Sequence, residues 1–105
     1  AIDIADGKLF VQKMDQLDAN ALKEGVEMLA NKLGNSIIAV VAGTSIFVKV
    51  SDNFVAKGVN AGNIVKEIAA ATEGKGGGRP QFAQGAVKDL SKVDAVLSKI
   101  ENDLK

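Results

Sequence analysis

The chain has 105 residues, 47% of them hydrophobic and 25% charged, with 13 basic and 13 acidic side chains that cancel to a formal net charge of zero. This is the composition of one globular domain near the commonest domain size, long enough to bury roughly 65% of its unfolded surface around a single core. Zero net charge excludes a basic domain that wraps DNA nonspecifically, and the absence of Cys and His excludes disulfide scaffolds, Cys-zinc sites, thiolate nucleophiles and the Ser-His pair.

In chain order, Lys8-Leu9-Phe10-Val11-Gln12-Lys13 is aromatic and β-branched with polar ends, which predicts a first strand. Asp15 and Asp18 follow, in a pattern that turn and cap chemistry explains better than metal binding, and Asp18 is placed to cap a helix. Leu22, Val26, Leu29 and Leu33 recur at helical spacing, opposite Lys23, Glu24, Glu27 and Lys32, until Gly34-Asn35 ends the run. Gly25 weakens this helix slightly and suggests that something packs closely there. Ser36 to Ala42 is apolar without alternation, as expected of a central strand buried on both faces. Its run Ile37–Ala42 is the longest apolar stretch and is too short to span a bilayer. Gly43-Thr44 then turns into Ser45-Ile46-Phe47-Val48-Lys49-Val50, which completes a hairpin.

Ser51-Asp52-Asn53 caps a short helical segment carrying Phe54 and Val55, and Asn60 to Thr72 forms a second amphipathic helix. Its inner face holds Ala61, Ile64, Val65, Ile68, Ala69 and Thr72. A glycine-rich loop over 74–80 leads to a short strand at Gln81-Phe82-Ala83-Gln84. The last helix runs from about Ser91, its expected N-cap, to Leu104, with Val93, Val96, Leu97, Ile100 and Leu104 inward and Leu90 as a staple residue. The order β-α-β-β-α-(Gly loop)-β-α is a single small α/β domain, a mixed sheet with helices packed on it. The chain opens at Ala1 rather than Met, and residues 1–7 read as a linker remnant ahead of a domain over 8–105. No leader-like segment is evident, so a cytoplasmic location is the default expectation.

Gly74-Lys75-Gly76-Gly77-Gly78-Arg79-Pro80 is the unusual feature. Glycines let a phosphate approach the backbone, and successive free N–H groups can form an anion-binding nest. Lys75 adds a mobile charge and Arg79 a planar fork suited to phosphate oxygens, while Pro80 extends the residue before it. A purely structural glycine connection explains the spacing equally well. The nucleotide loops are excluded. A Walker A loop needs Lys-Ser/Thr after its last glycine, where Arg79-Pro80 stands, and a dinucleotide fingerprint needs a strand before and a helix after.

The stretch from Gly74 to Gly85, Gly-Lys-Gly-Gly-Gly-Arg-Pro-Gln-Phe-Ala-Gln-Gly, resembles the signature near the C-terminus of alanyl-tRNA synthetases. Asn60-Ala61-Gly62-Asn63-Ile64-Val65-Lys66-Glu67 is similar to that family's Ala-Gly helix start, and Phe10 to Asp15 to its first strand. The likeness covers roughly residues 8 to 104 and identifies a member of the DHH-associated family. In DHH phosphoesterases the related motif carries a His where Arg79 stands, which favours the synthetase branch. Two positions depart from the pattern: Gln81 replaces an acidic residue, and Ala86-Val87 follow a single Gly85 in place of more glycines.

The resemblance implies a noncatalytic tRNA-binding appendage, the C-Ala domain, which contacts the outer corner of tRNA and couples aminoacylation with editing. It implies RNA contact through Lys75, Gly76, Gly77, Gly78, Arg79, Gln84 and Lys88, with no catalytic or metal-ligating residue and no cofactor in this fragment. ATP, magnesium and zinc would serve upstream catalytic and editing domains, and homodimerisation would come through the parent enzyme. Alternatives of other classes are a substrate-binding module of a DHH phosphoesterase and a dimerisation module using Leu22–Leu33 or Val93–Leu104. Phe82 could stack on a base, but with only four aromatics for a core, burial is the expectation. Lys57 and Lys92 read as ordinary solvated lysines. Residues 74–105 carry six basic and four acidic groups, an excess of +2, against −2 for residues 1–35 and zero for 36–73. The positive excess lies with the glycines.

Overall fold

The computed structural model describes residues 2–5, 7–15 and 18–104. Six strands form one mixed sheet in the order β1-β2-β3-β4-β6-β5: β1 (Ile2–Ile4), β2 (Gly7–Met14), β3 (Ser36–Ala42), β4 (Ser45–Val50), β5 (Lys75–Gly78) and β6 (Phe82–Ala86). Only β2 and β3 run parallel, joined through α1 (Ala19–Leu33) as a β-α-β crossover; the other neighbours are antiparallel. The remaining helices are α2 (Asp52–Ala56), α3 (Ala61–Ala71) and α4 (Val93–Leu104), with a 3-10 turn at Leu90–Lys92 leading into α4.

The expected mixed α/β domain is what forms. All seven residues of β3 are buried, because α1 covers one face of the sheet and α3 with α4 covers the other. Strand alternation sorts the apolar side chains between two layers. Ile37, Ala39, Val41, Ile46, Val48 and Val50 meet Val65, Ile68, Val93 and Ile100 beneath the sheet. Ile38, Val40, Ala42 and Phe47 meet Leu22 and Val26 above it. The upper layer is narrower. α1 sits on β3 and β4, while farther along Gln84 and Ala86 of β6 and Lys75 of β5 are exposed. Half of the upper sheet face is therefore open.

The caps follow the chemistry of the sequence in two helices. Asn60 accepts a hydrogen bond from the Asn63 amide at 3.1 Å and starts α3, which ends at Thr72. Gly34, at φ 72°, closes α1 with its N–H bonded to the Ala30 carbonyl. Asp18 does occupy the N-cap position of α1, but its side chain makes no capping bond.

Four expectations need correction. Ile2–Ile4, assigned to a linker remnant, pair with Gly7–Leu9 as an edge strand, since three residues are too few to show alternation. The 74–80 segment is not a loop: Lys75–Gly78 is an edge strand hydrogen-bonded to β6. The last helical segment is capped by Asp89 instead of Ser91. Its carboxylate accepts from the Ser91 amide at 3.0 Å, and Leu90 is 48% exposed, so it staples nothing. Gly25 is exposed, and a Cβ there would meet nothing within 4 Å, so no close packing explains it.

Candidate functional site

The glycine strand is shaped by two opposite demands. Gly76 and Gly85 face downward onto α3, where a Cβ on Gly76 would lie 2.5 Å from Val65 Cγ1 and one on Gly85 would lie 2.8 Å from the same atom. On α3 itself, a Cβ at Gly62 would come within 2.8 Å of the Gly78 carbonyl oxygen. These glycines let a helix lie directly against the sheet edge, a packing role that sequence spacing could not separate from ligand approach. Gly77 faces the other way. A Cβ there would meet only Lys66 Cε, at 3.4 Å.

Strand geometry changes how the backbone N–H groups are presented. Arg79 N–H donates to the Phe82 carbonyl at 3.0 Å, and in an antiparallel pair such bonds recur at alternate residues. Gly77 and Lys75 therefore direct their N–H groups to β6, while those of Gly76 and Gly78 point to the free edge. Consecutive N–H groups diverge, so the expected nest does not form. Lys75 and Arg79 are four strand residues apart, about 13 Å, a spacing that suits two separate phosphates better than one.

What the residues do form is a shallow trough on the open upper face. Its walls and floor comprise Gly77, Gly78, Arg79, Phe82 and Gln84, continuing through Phe47, Lys75 and Gly76 toward Ala86. The β4–β6 register sets Phe82 beside Lys49 and Gln84 beside Phe47. Phe82 is half-buried, short of the burial expected for it: its ring leans on Phe47 with centroids 5.8 Å apart at 54°, and its other contacts leave part of it in the trough. Lys49 Nζ stands 5.9 Å from the Phe82 centroid, within cation–π range.

Charge sharpens this face. Among the described residues, Lys8, Lys13, Lys92 and Lys99 are tied to carboxylates, whereas Lys23, Lys32, Lys49, Lys66, Lys75, Arg79 and Lys88 form no ion pair, and the last five of these border the open half of the sheet. Lys92, 3.9 Å from Asp89, is thus not one of the cations bordering the trough. Lys88 lies past the far end of β6, its N–H on the Thr72 carbonyl at 3.2 Å. That places it near Gly74, the end of the trough opposite Arg79. Lys49 and Lys66 were not singled out from sequence. Lys49 could have been found from the strand alternation that puts it on the Phe47 face; Lys66 reaches Gly77 only because α3 lies against β5.

Two carboxyl groups are held below their usual range, and neither belongs to the trough. Asp3 is lowered by its hydrogen bond and charge pairing with Lys8, and Asp89 by hydrogen bonds from the Ser91 hydroxyl and amide. Among the described residues no group of three His, Cys, Asp or Glu side chains could hold a metal ion, and no helix is long and apolar enough to cross a membrane. The arrangement is a surface for contact: open, positively fringed, with one aromatic ring and backbone that can be approached closely.

The chain has clear relatives among known proteins. The family model of the DHHA1 domain matches residues 6–105. The alanine–tRNA ligase of Natranaerobius thermophilus is 40% identical over 103 residues, covering 94% of this chain and 12% of the relative. That of Acetivibrio thermocellus is 39% identical over 101 residues, 92% of this chain and again 12% of the relative. The chain thus spans about an eighth of the length of these relatives, 12%. Among solved structures, the C-Ala domain from Aquifex aeolicus alanyl-tRNA synthetase superposes with a TM-score of 0.73 at 25% identity, over 91% of this chain and 89% of that one.

Proposed function

The chain belongs to the DHHA1 domain family, and on that premise we propose that it is the noncatalytic, tRNA-binding C-terminal domain of an alanine–tRNA ligase. The observation that carries this reading is the open half of the sheet, where Lys49, Lys66, Lys75 and Arg79, four cations with no ion pair among the described residues, fringe Phe82 and the glycine strand. Lys75 and Arg79 contact separate phosphates along a backbone laid over Gly77, Gln84 adds a polar contact, and Lys88 prolongs the path. A side chain at Gly77 would hold that backbone off the sheet. Phosphate contacts position folded RNA by shape, as suits the outer corner of tRNA, and they carry little base information.

With few cationic contacts, affinity of the domain alone is modest. Tethered to upstream catalytic and editing domains, it binds at high effective concentration and keeps one tRNA available to both activities. In that setting the parent enzyme supplies ATP, magnesium and zinc chemistry in its other domains, and it works in the cytoplasm. The DHH phosphoesterase alternative is weaker, since Arg79 occupies the position of that branch's His.

A salt titration of tRNA binding tests the proposal. Each phosphate contact contributes about 0.9 to the log–log salt slope, so a folded Lys75→Ala/Arg79→Ala double variant is expected to lose about two units of slope. An unchanged slope and affinity would sink the assignment of this face.

A further inference from the structure

We infer that the polar cleft where the trough meets the C-terminal end of α1 is a pocket for one unpaired nucleobase, with Lys49 holding the adjoining phosphate. The inference rests on the tRNA-binding reading and adds a base-specific contact to it. The cleft, of about 430 Å³, is formed by α1, the start of β3, the end of β4 and Gln81. Pockets of roughly 300–1,000 Å³ are usual for small organic ligands, and a stacked duplex does not enter one.

The cleft has a fixed frame and free functional groups. Ser36 and Ser51 exchange two bonds, Ser36 N–H to Ser51 Oγ and Ser51 N–H to the Ser36 carbonyl, both at 2.9 Å. Val50 N–H donates to the Gln81 carbonyl at 2.8 Å and Ser36 Oγ to the Gly34 carbonyl at 3.1 Å. Those bonds fix the frame of the cleft. Among the described residues, the side chains of Asn31, Asn35, Gln81 and Asp52 engage no partner.

The chemistry selects the ligand. Each primary amide offers both donors and an acceptor, as the edge of a base requires, whereas a phosphate only accepts. Asp52 repels phosphate but accepts from an exocyclic amine, so an amine-bearing base (guanine, adenine or cytosine) fits better than uracil. Lys49 is the one cation among the residues lining the cleft. Its ammonium stands over Phe82, which places a nucleotide's phosphate toward the trough and its base toward the amides.

The test is titration of the isotopically labelled chain with the four nucleoside 5′-monophosphates and with ribose 5-phosphate, read by NMR. The side-chain amide signals of Asn31, Asn35 and Gln81 are expected to shift saturably with the amine-bearing nucleotides and not with ribose 5-phosphate. An Asn31→Ala/Gln81→Ala variant with an otherwise unchanged spectrum is expected to bind at least tenfold more weakly. Equal shifts with ribose 5-phosphate, or nucleotide shifts confined to Lys75, Gly77 and Arg79, would overturn the pocket. Nucleotide binding at these amides without any tRNA response on β5 and β6 would keep the pocket and remove the tRNA reading.

Discussion

Replacing Gly76 and Gly77 one at a time with alanine separates packing from ligand approach within a single strand. A methyl at Gly76 would lie 2.5 Å from Val65 Cγ1, 2.7 Å from Gly85 Cα and 3.0 Å from the Gln84 carbonyl oxygen. Two of these neighbours are backbone of the paired strand and cannot rotate away. Overpacking of this kind costs about 1–3 kcal/mol, while the loss of unfolded-state freedom returns only about 0.4–1 kcal/mol. The clash wins, and net destabilisation of about 1–2 kcal/mol is expected. For a domain near this size that lowers Tm by roughly 5–15 °C. At Gly77 the balance reverses, because the only neighbour is the flexible end of Lys66 at 3.4 Å. Gly77→Ala is expected to leave Tm unchanged or slightly raised. The two variants would be compared by thermal unfolding and then by tRNA binding well below either Tm. Gly76→Ala should bind like wild type, whereas Gly77→Ala should bind about tenfold more weakly, equivalent to about 1.4 kcal/mol. A Gly76→Ala protein with wild-type Tm would refute the packing argument. A stable Gly77→Ala protein with wild-type affinity would show that the RNA backbone does not lie on this strand.

Two further substitutions test the scaffold. Gly25 is exposed in the interior of α1 with open space where its Cβ would be, so Gly25→Ala is expected to stabilise by about 0.5–1 kcal/mol in denaturant unfolding, with tRNA binding unaffected. Asp89 is held below the ordinary aspartate value of 3.8 by the Ser91 hydroxyl and amide, so it binds a proton more readily in the unfolded chain than in the folded one. Its capping contribution is complete well above 3.8 and disappears as pH falls through the lowered value. Asp89→Ala should therefore reduce Tm at pH 7, and the difference from wild type should begin to narrow near pH 3.8 and close as pH falls through the lowered value. A difference that persists unchanged into acid would show that the carboxylate charge is not what caps the turn.

The glycine run also shows what a sequence can and cannot reveal. Its composition marks residues 74–80 as unusual, and its match to a family signature points to tRNA. Glycine has no side chain, however, so a glycine strand has no alternation to read, and a hydrogen-bonded edge strand looks like a loop. A different limit hides β1, whose three residues are too few to establish an alternation. The helices are different. Leu22, Val26 and Leu29 repeat at the period of α1, and Asn60 and Gly34 carry cap chemistry in their own side chain or backbone, so both are legible locally.

From the sequence alone came the α/β class, the buried central strand, the extent of α3 and the family to which the chain is related. Only the tertiary structure decided which glycines serve packing and which face the open sheet, because that depends on which side of β5 the helix α3 occupies. It also decided the neighbours of Phe82. Lys49 and Phe82 are 33 residues apart and meet through the β4–β6 register, a pairing that no local pattern encodes. Charge follows the same division. Zero net charge is a sum over the chain, whereas the gathering of Lys49, Lys66, Lys75 and Arg79 at one half of the sheet depends on the β4–β6–β5 register and on α3 lying against β5.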